Sequence, residues 1–367
     1  MDIGGSYLWF SGFTVAPSSG IGVWIRSTCD YIILDTLNFP NAVTAAAPVY
    51  GDCAVLIGAG SSRITVKSCT LHTSSVSKGD DGHGNIAASI YFEAAGNSFG
   101  GHVLADNVVT GMFRDGFGGG GNYYGDGPVA NSDICRNILS GMQDDGIECE
   151  GDNVNVRIWG NMITNVTGQS GLGVAGTDIG PLYVFRNLFY VSNAPPAGVK
   201  LGNVSPGPVY FFHNTIVARS YPNDVIADIG GETKSDLHTF LNNIFDSSAG
   251  RYAVYRGGRT NTYDYNLYNG NSPGLFDEYN GTGHYQTLVA FRTATSQEQH
   301  GVQGSPAFSN GNFRISAVSP AVDKGVILPN FNDQNSAWPF QGSAPDIGHW
   351  ELPPTSPSPP SNLRVLR

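Results

Sequence analysis

FRNLF at residues 185–189 and FHNTI at residues 212–216 decide the fold, because one phrase with asparagine at its centre returns along the chain. ADNVV, CRNIL, WGNMI, NNIF and YNLY complete the series and place Asn107, Asn137, Asn161, Asn187, Asn214, Asn243 and Asn266 in matching contexts. Successive gaps are 30, 24, 26, 27, 29 and 23 residues. Self-similarity at such a period marks a solenoid, in which each repeat buries its apolar face only by stacking on its neighbours. Apolar runs flank each asparagine, as in Val184-Phe185 before Asn187 and Leu188-Phe189 after it. They read as two strands meeting at a corner. Asparagine tolerates the left-handed backbone of a one-residue corner, and stacked asparagine side chains bond one another along the solenoid. Earlier turns fit the same frame with Gly12, Thr36 and Cys69 at the corner.

A third strand closes each coil, read at 23–26, 90–93, 147–150, 172–174, 199–201 and 227–229. The chain is therefore expected to be an all-β, right-handed parallel β-helix with three strands per coil and roughly ten turns. Residues 1–268 form the β-helix in this reading, and the irregular stretch 269–352, with a short helix expected at 285–295, forms a C-terminal cap. Residues 353–367 are a Pro/Ser-rich linker or tail. The opening residues already resemble a strand inside a coil, so the reading expects an export signal to have been removed upstream.

Composition agrees with turn-rich β structure: 49 glycines, 11 % aromatic and only 13 % charged residues. A formal net charge of −11, with no Lys/Arg cluster, excludes nucleic acid as a partner, and no apolar run is long enough to span a bilayer. Five cysteines without metal-ligand spacing are expected to be free and buried, with a disulfide between two of the first three as the alternative.

Side chains alternate faces along a strand, so Ile147 and Cys149 point inward and Glu148 and Glu150 outward. Stacking the coils gives an outward column of Trp24, Tyr91, Gly118, Glu148, Gly173, Lys200 and Asp228. Asp115, Asp144, Asp145 and Glu148 converge at its edge on adjacent coils. Crowded carboxyls raise one another's pKa, and glycoside hydrolysis needs one acid protonated and another ionised. The expected separation is the roughly 6.5–9.5 Å of an inverting pair. Beside this reading stands a simpler one, in which Asp115 and Asp145 are turn residues bonding their own backbone. Outward aromatics, Trp24, Tyr91 and the Tyr123-Tyr124 pair of the glycine-rich loop, are expected to stack on sugar rings, with Arg114 and Asp228 as further substrate contacts. His83 and His213 read as surface or ladder residues, and the run Gly118–Gly121 lacks the Gly-Lys-Ser/Thr of a phosphate loop.

These coils, with the closing SPAVDKG (319–325) and PDIGHWE (345–351), resemble the pectin-lyase-like superfamily of secreted β-helix proteins, which includes polysaccharide lyases, polygalacturonases and phage tailspikes. Within it, residues 144–148 followed by 153–158 resemble the Asp-Asp segment of polygalacturonases, and 114–117 and 198–201 resemble its neighbouring coils. No histidine stands at 170–172, and the basic pair is reduced to Lys200. The resemblance implies a secreted or cell-surface enzyme cleaving a polysaccharide, with the glycoside hydrolase reading first. The alternative is a lyase performing β-elimination on a uronic-acid polymer, with Lys200 as base, Arg114 or Arg157 near the uronate, and Asp144, Asp145 and Glu148 holding calcium. A third reading is a non-catalytic carbohydrate-binding β-helix. The hydrolase needs no cofactor, Ca2+ is the cation expected if one binds, and a monomer is expected.

Overall fold

The computed structural model describes residues 1–353 apart from 17–19, 43–51, 75–87, 94–99, 120–129, 152, 175–178, 193–196, 202–206, 220–223, 229–236, 256–259, 271–273, 278–282 and 310. Three parallel sheets run the length of the molecule, with eleven, ten and ten strands among the described residues. The first sheet runs from Asp2–Ile3 to Phe276–Asp277, the second from Leu8–Ser11 to Thr262–Asp264, and the third from Asn38–Phe39 to Leu267–Asn269 and Val302–Gln303. Each coil visits the second sheet, turns a tight corner into the third, and crosses to the first. The chain is thus a three-sheet parallel β-helix, as its repeats imply. First-sheet strands Asp2–Ile3, Val55–Ile57, Val254–Tyr255 and Phe276–Asp277 have no counterpart in the sequence reading.

The interior is a column of stacked apolar residues, exemplified by Phe211, Phe240 and Tyr263 with centroids 4.6 and 4.7 Å apart. All five cysteines are free and buried, so the disulfide alternative falls.

The asparagine ladder forms link by link. Asn161 donates from Nδ2 and from its backbone N–H to Asn187 Oδ1, both at 2.9 Å, and Asn187 repeats this on Asn214 at 3.0 and 3.1 Å. Asn187 Nδ2 also reaches back to the Ile158 carbonyl at 2.9 Å, so both amide hydrogens are used inside the core. The left-handed residue is not the asparagine, however. It is the residue before it: Asp106, Arg136, Gly160, Arg186, His213, Asn242 and Tyr265 all have φ between 54° and 64°. That residue swings the chain through the corner, which turns the asparagine side chain into the interior. Gly12 and Thr36 therefore occupy the corner itself, whereas Cys69 stands in the ladder, accepting from the Leu37 N–H at 3.4 Å as an asparagine oxygen would.

At its far end the ladder meets Glu298. Asn266 donates to Glu298 from Nδ2 at 2.6 Å, and the Tyr268 hydroxyl donates to the same oxygen at 2.7 Å. Glu298 follows a helix, Leu288–Thr295, capped by the Thr287 hydroxyl, and the Phe291 ring of that helix stacks on Phe276 at 3.7 Å, closing the core. The helix starts later than the expected residue 285 because Tyr285 pairs with Phe276 as a β-bridge instead. Beyond residue 304 the chain folds back along the outside of the corner between the second and third sheets. Trp338 packs there on Trp159, Phe331 packs on Phe212, and Gly348 N–H donates to the Asn242 carbonyl.

Burial raises the Glu298 pKa from an ordinary 4.5 to about 8, with the Asn266 and Tyr268 hydrogen bonds opposing the rise. The carboxyl therefore keeps its proton when folded and loses it when unfolded. Its contribution is complete below about pH 4.5 and is lost as pH rises through 8, a window holding roughly 4–5 kcal/mol. Melting temperature should fall between pH 5 and pH 8.5 in the native chain, and markedly less in Glu298→Gln. Parallel melting curves over that range would remove this account of Glu298.

Candidate active site

Strand pairing sets the site. In the first sheet Phe117 pairs with Ile147, Ile147 with Leu172 and Leu172 with Val199, all pointing inward. Their neighbours Gly118, Glu148, Gly173 and Lys200 therefore stack on the outer face, as the sequence implies. Upstream, Trp24 pairs with Leu56 and Leu56 with Tyr91. Downstream, Lys200 pairs with Ala227, and Asp228 pairs with Leu201. Asp228 is thus one residue off the column, and its side chain lies outside the described residues.

The acids come together but are not open to water. Asp115, Asp144, Asp145 and Glu148 retain 3, 1, 0 and 8 % exposure, and Glu150 and Lys200 retain 2 and 6 %. Lys200 reaches back over Gly173 to place Nζ 2.6 Å from Asp145 Oδ2 and 3.0 Å from Glu150 Oε1. The other oxygen of Asp145 accepts from the Ser170 hydroxyl at 2.5 Å. Arg114 Nε lies 3.2 Å from Asp144 and 3.8 Å from Asp115. Asp115 Oδ1 accepts the backbone N–H of Asp145 at 3.0 Å, one coil on. Neither aspartate is a turn residue bonding its own backbone, because their partners lie on other coils.

Two glycines make this crowding possible. A side chain at Gly173 would begin 2.8 Å from Asp145 Oδ2 and 2.9 Å from Lys200 Cε, and one at Gly118 would begin 3.1 Å from Glu148 Oε2. The empty positions on the column are the slots into which the charged side chains lie.

Five carboxyls around two cations cannot all ionise without water. Burial drives the Asp115 carboxyl well above the usual carboxylate range, with Asp144 and Asp145 adding to the rise and Arg114 opposing it. Burial does the same to Glu148, helped by Asp115, Glu150 and Asp145 and opposed by Lys200. Glu150 rises to about 7, again through burial and against Lys200. For Lys200, burial works against the charge, yet Asp145, Glu150 and Glu148 together outweigh it and push the ammonium pKa well up. Crowding thus holds protons on acids while keeping the lysine charged.

Several expectations change. Oxygens of Asp145, Glu148 and Glu150, all on one coil, lie within 4.8 Å of one another. That trio could hold a cation, with Glu150 in place of Asp144, which is engaged by Arg114; the Lys200 ammonium already sits against two of its members. Lys200 is no free base. Tyr91 is buried in a side cluster with Cys53, Leu56 and Ala88, so it offers no open ring. Trp24 is 37 % exposed but stands four strands from Glu148, about 19 Å at 4.8 Å per coil. Arg157 pairs with Asp133 on the second sheet, away from the acids. Tyr123, Tyr124 and His83 lie outside the described residues, and His213 is buried beside Asn242 and Asn332 under the C-terminal segment.

Sequence reading missed Glu150 and Ser170 as members of the site. The alternation that places Glu150 beside Glu148 was the available signal. It also missed Tyr252 and Tyr255, whose rings stack at 5.8 Å with Arg251 over Tyr255 at 4.3 Å, on the same face further along the sheet.

Neither a protein-family model nor a curated protein matches the sequence. Among solved structures, the chain is similar to XylC in complex with xylose, at 13 % identity and a TM-score of 0.49 over 80 % of this chain. It spans 56 % of that protein. It is also similar to pectate lyase Pel9A, at 14 % identity and a TM-score of 0.44 over 94 % of this chain and 76 % of the other. Likeness at this level is one of general architecture, and the chemistry of the site rests on the chain's own residues.

Proposed function

We propose that this chain hydrolyses glycosidic bonds of a polysaccharide at the acid cluster of the first sheet. The observation that carries the reading is the coexistence, within one strand, of an acid held protonated by burial and crowding, Glu148, and an acid held against an ammonium, Asp145. Glycoside hydrolysis requires that division of labour. Glu148, the most exposed of the acids, gives its proton to the departing sugar oxygen. Asp145, fixed by Lys200 and Ser170, is the ionised partner, and Asp115 and Glu150 keep the local charge from collapsing onto Glu148. A secreted or cell-surface location and a monomeric state belong to the same proposal.

β-Elimination would need a neutral amine at Lys200 to take a carbon-bound proton. Its two carboxylate contacts act in the opposite sense. A panel of neutral and acidic polysaccharides, incubated with and without a chelator, should yield new reducing ends without ultraviolet absorbance from an unsaturated uronide. Activity should survive the chelator. Appearance of the chromophore would overturn the hydrolase, abolition by chelator would assign a cation to the acid trio, and tight binding without cleavage would identify a carbohydrate-binding protein.

A further inference from the structure

Where the C-terminal segment folds back over the corner between the second and third sheets, away from the acid cluster, it leaves a cavity of about 710 Å3. Its size falls in the range of small-molecule sites. Arginines elsewhere in the described chain have partners. Arg26, Arg63, Arg114, Arg136, Arg157, Arg219 and Arg251 each pair with an aspartate, and Arg292 donates to two backbone carbonyls. Among the described arginines, Arg186, Arg292 and Arg314 have no carboxylate in ion-pair contact; Arg292 is satisfied by its two carbonyls, and the other two both line this cavity.

Arg186 is 8 % exposed, its Nε is shut off from water with no hydrogen-bond partner, and its Nη2 makes only a 3.4 Å bond to the Trp338 carbonyl. Burial lowers its pKa, which Glu351 and Asp346 only partly restore. Glu351 also lines the cavity, but its two oxygens accept the backbone N–H groups of Gln341 and Asp346, each at 3.1 Å. Arg314 lies over the Trp350 ring at 3.6 Å. Between them stands His349, with a buried, unpartnered Nδ1 and a pKa lowered to about 3 by burial and by Arg314 and Arg186. Uncompensated guanidinium beside a neutral imidazole and indole walls calls for an anion carried on a ring.

We propose that this cavity is a second ligand site, taking a single carboxylated sugar residue whose carboxylate meets Arg186 and Arg314 and whose ring lies along Trp338 and Trp350. The charge supplied is the one the two arginines lack. The site stands independently of the cleavage reading, because it shares no residue with the acid cluster.

Calorimetric titration of the full chain with glucuronate, glucose and inorganic phosphate tests it. Glucuronate should bind at least about tenfold more tightly than glucose or phosphate. Arg314→Gln, a substitution at a partly exposed position, should weaken glucuronate at least about tenfold while leaving melting temperature unchanged. Glu148→Gln should bind glucuronate like the native chain, which separates this site from the catalytic one. A uronide oligomer that binds more tightly than the monomer assigns a chain end as the source of the ligand, and equal affinity assigns the free sugar acid. Equal affinity for glucose, competition by phosphate on equal terms, or an Arg314→Gln variant with native glucuronate affinity would each overturn the proposal.

Discussion

Glu148→Gln should lose about a thousandfold in turnover while melting no lower than the native chain. The glutamine keeps the shape of the side chain and removes its proton-donating capacity. It also removes a buried acid whose folded pKa stands well above its unfolded one. Such an acid stabilises the fold below its unfolded pKa and loses that contribution as pH rises through the folded value, so the variant should gain in relative stability on the alkaline side. The same protons set the activity profile. Turnover should fall with rising pH as Glu148 ionises, and that alkaline limb should be absent from whatever residual activity the variant retains. Asp145→Asn is the contrasting case. It takes from Lys200 its 2.6 Å partner, so both activity and stability should fall. A Glu148→Gln enzyme with native turnover would remove Glu148 as the proton donor, whatever the substrate.

Asn187→Ala should lower the unfolding free energy by about 3–6 kcal/mol, because several buried groups lose their partners together. Asn161 loses the acceptor for both its Nδ2 and its backbone N–H, and the Ile158 carbonyl loses its donor. None of them can turn to water, since Asn161 and Asn187 are 2 and 0 % exposed. Asn155→Gly is the control, for Asn155 also donates to an asparagine, Asn131, but in an exposed setting, and glycine accepts its left-handed φ of 53°. There water replaces the lost partner, and the cost should stay below about 1 kcal/mol. Urea unfolding midpoints of the two variants give the comparison. Equal shifts would mean that the ladder contributes no more than its surface imitation.

What the sequence made legible follows from periodicity. A repeated asparagine with apolar flanks identified the coils and the outward column through Glu148, Gly173 and Lys200, because strand alternation admits only two faces. The corner was read one residue late. The asparagine is the residue that stands out in the text, whereas the left-handed conformation is borne by residues as varied as Asp106, Gly160 and His213, which share no chemistry to read. Register failed at Asp228, where a loop intervenes between one first-sheet strand and the next and its length cannot be converted into a pairing by inspection. Burial of the acids was also beyond reach. A carboxylate that points away from the core is ordinarily wet, and only the slots at Gly118 and Gly173 let these side chains lie flat against one another. Lys200 shows the same limit, since two coils of separation imply roughly 10 Å between backbones while a long side chain crosses that gap.

The ladder carries one more implication. Every link from Asn107 to Asn243 gives its backbone N–H and one side-chain amide hydrogen to the next asparagine, always in the same direction, and returns the other to a carbonyl of the preceding coil. A row of identical joints has no preferred length. Adding or deleting one whole coil would leave every remaining joint intact, so the number of coils is set at the terminus, where Glu298 receives the last amide just after the helix that shuts the core. Size in this molecule is a property of its end piece, and a chain lengthened by a duplicated coil ahead of Asn266 should fold around the same closing glutamate.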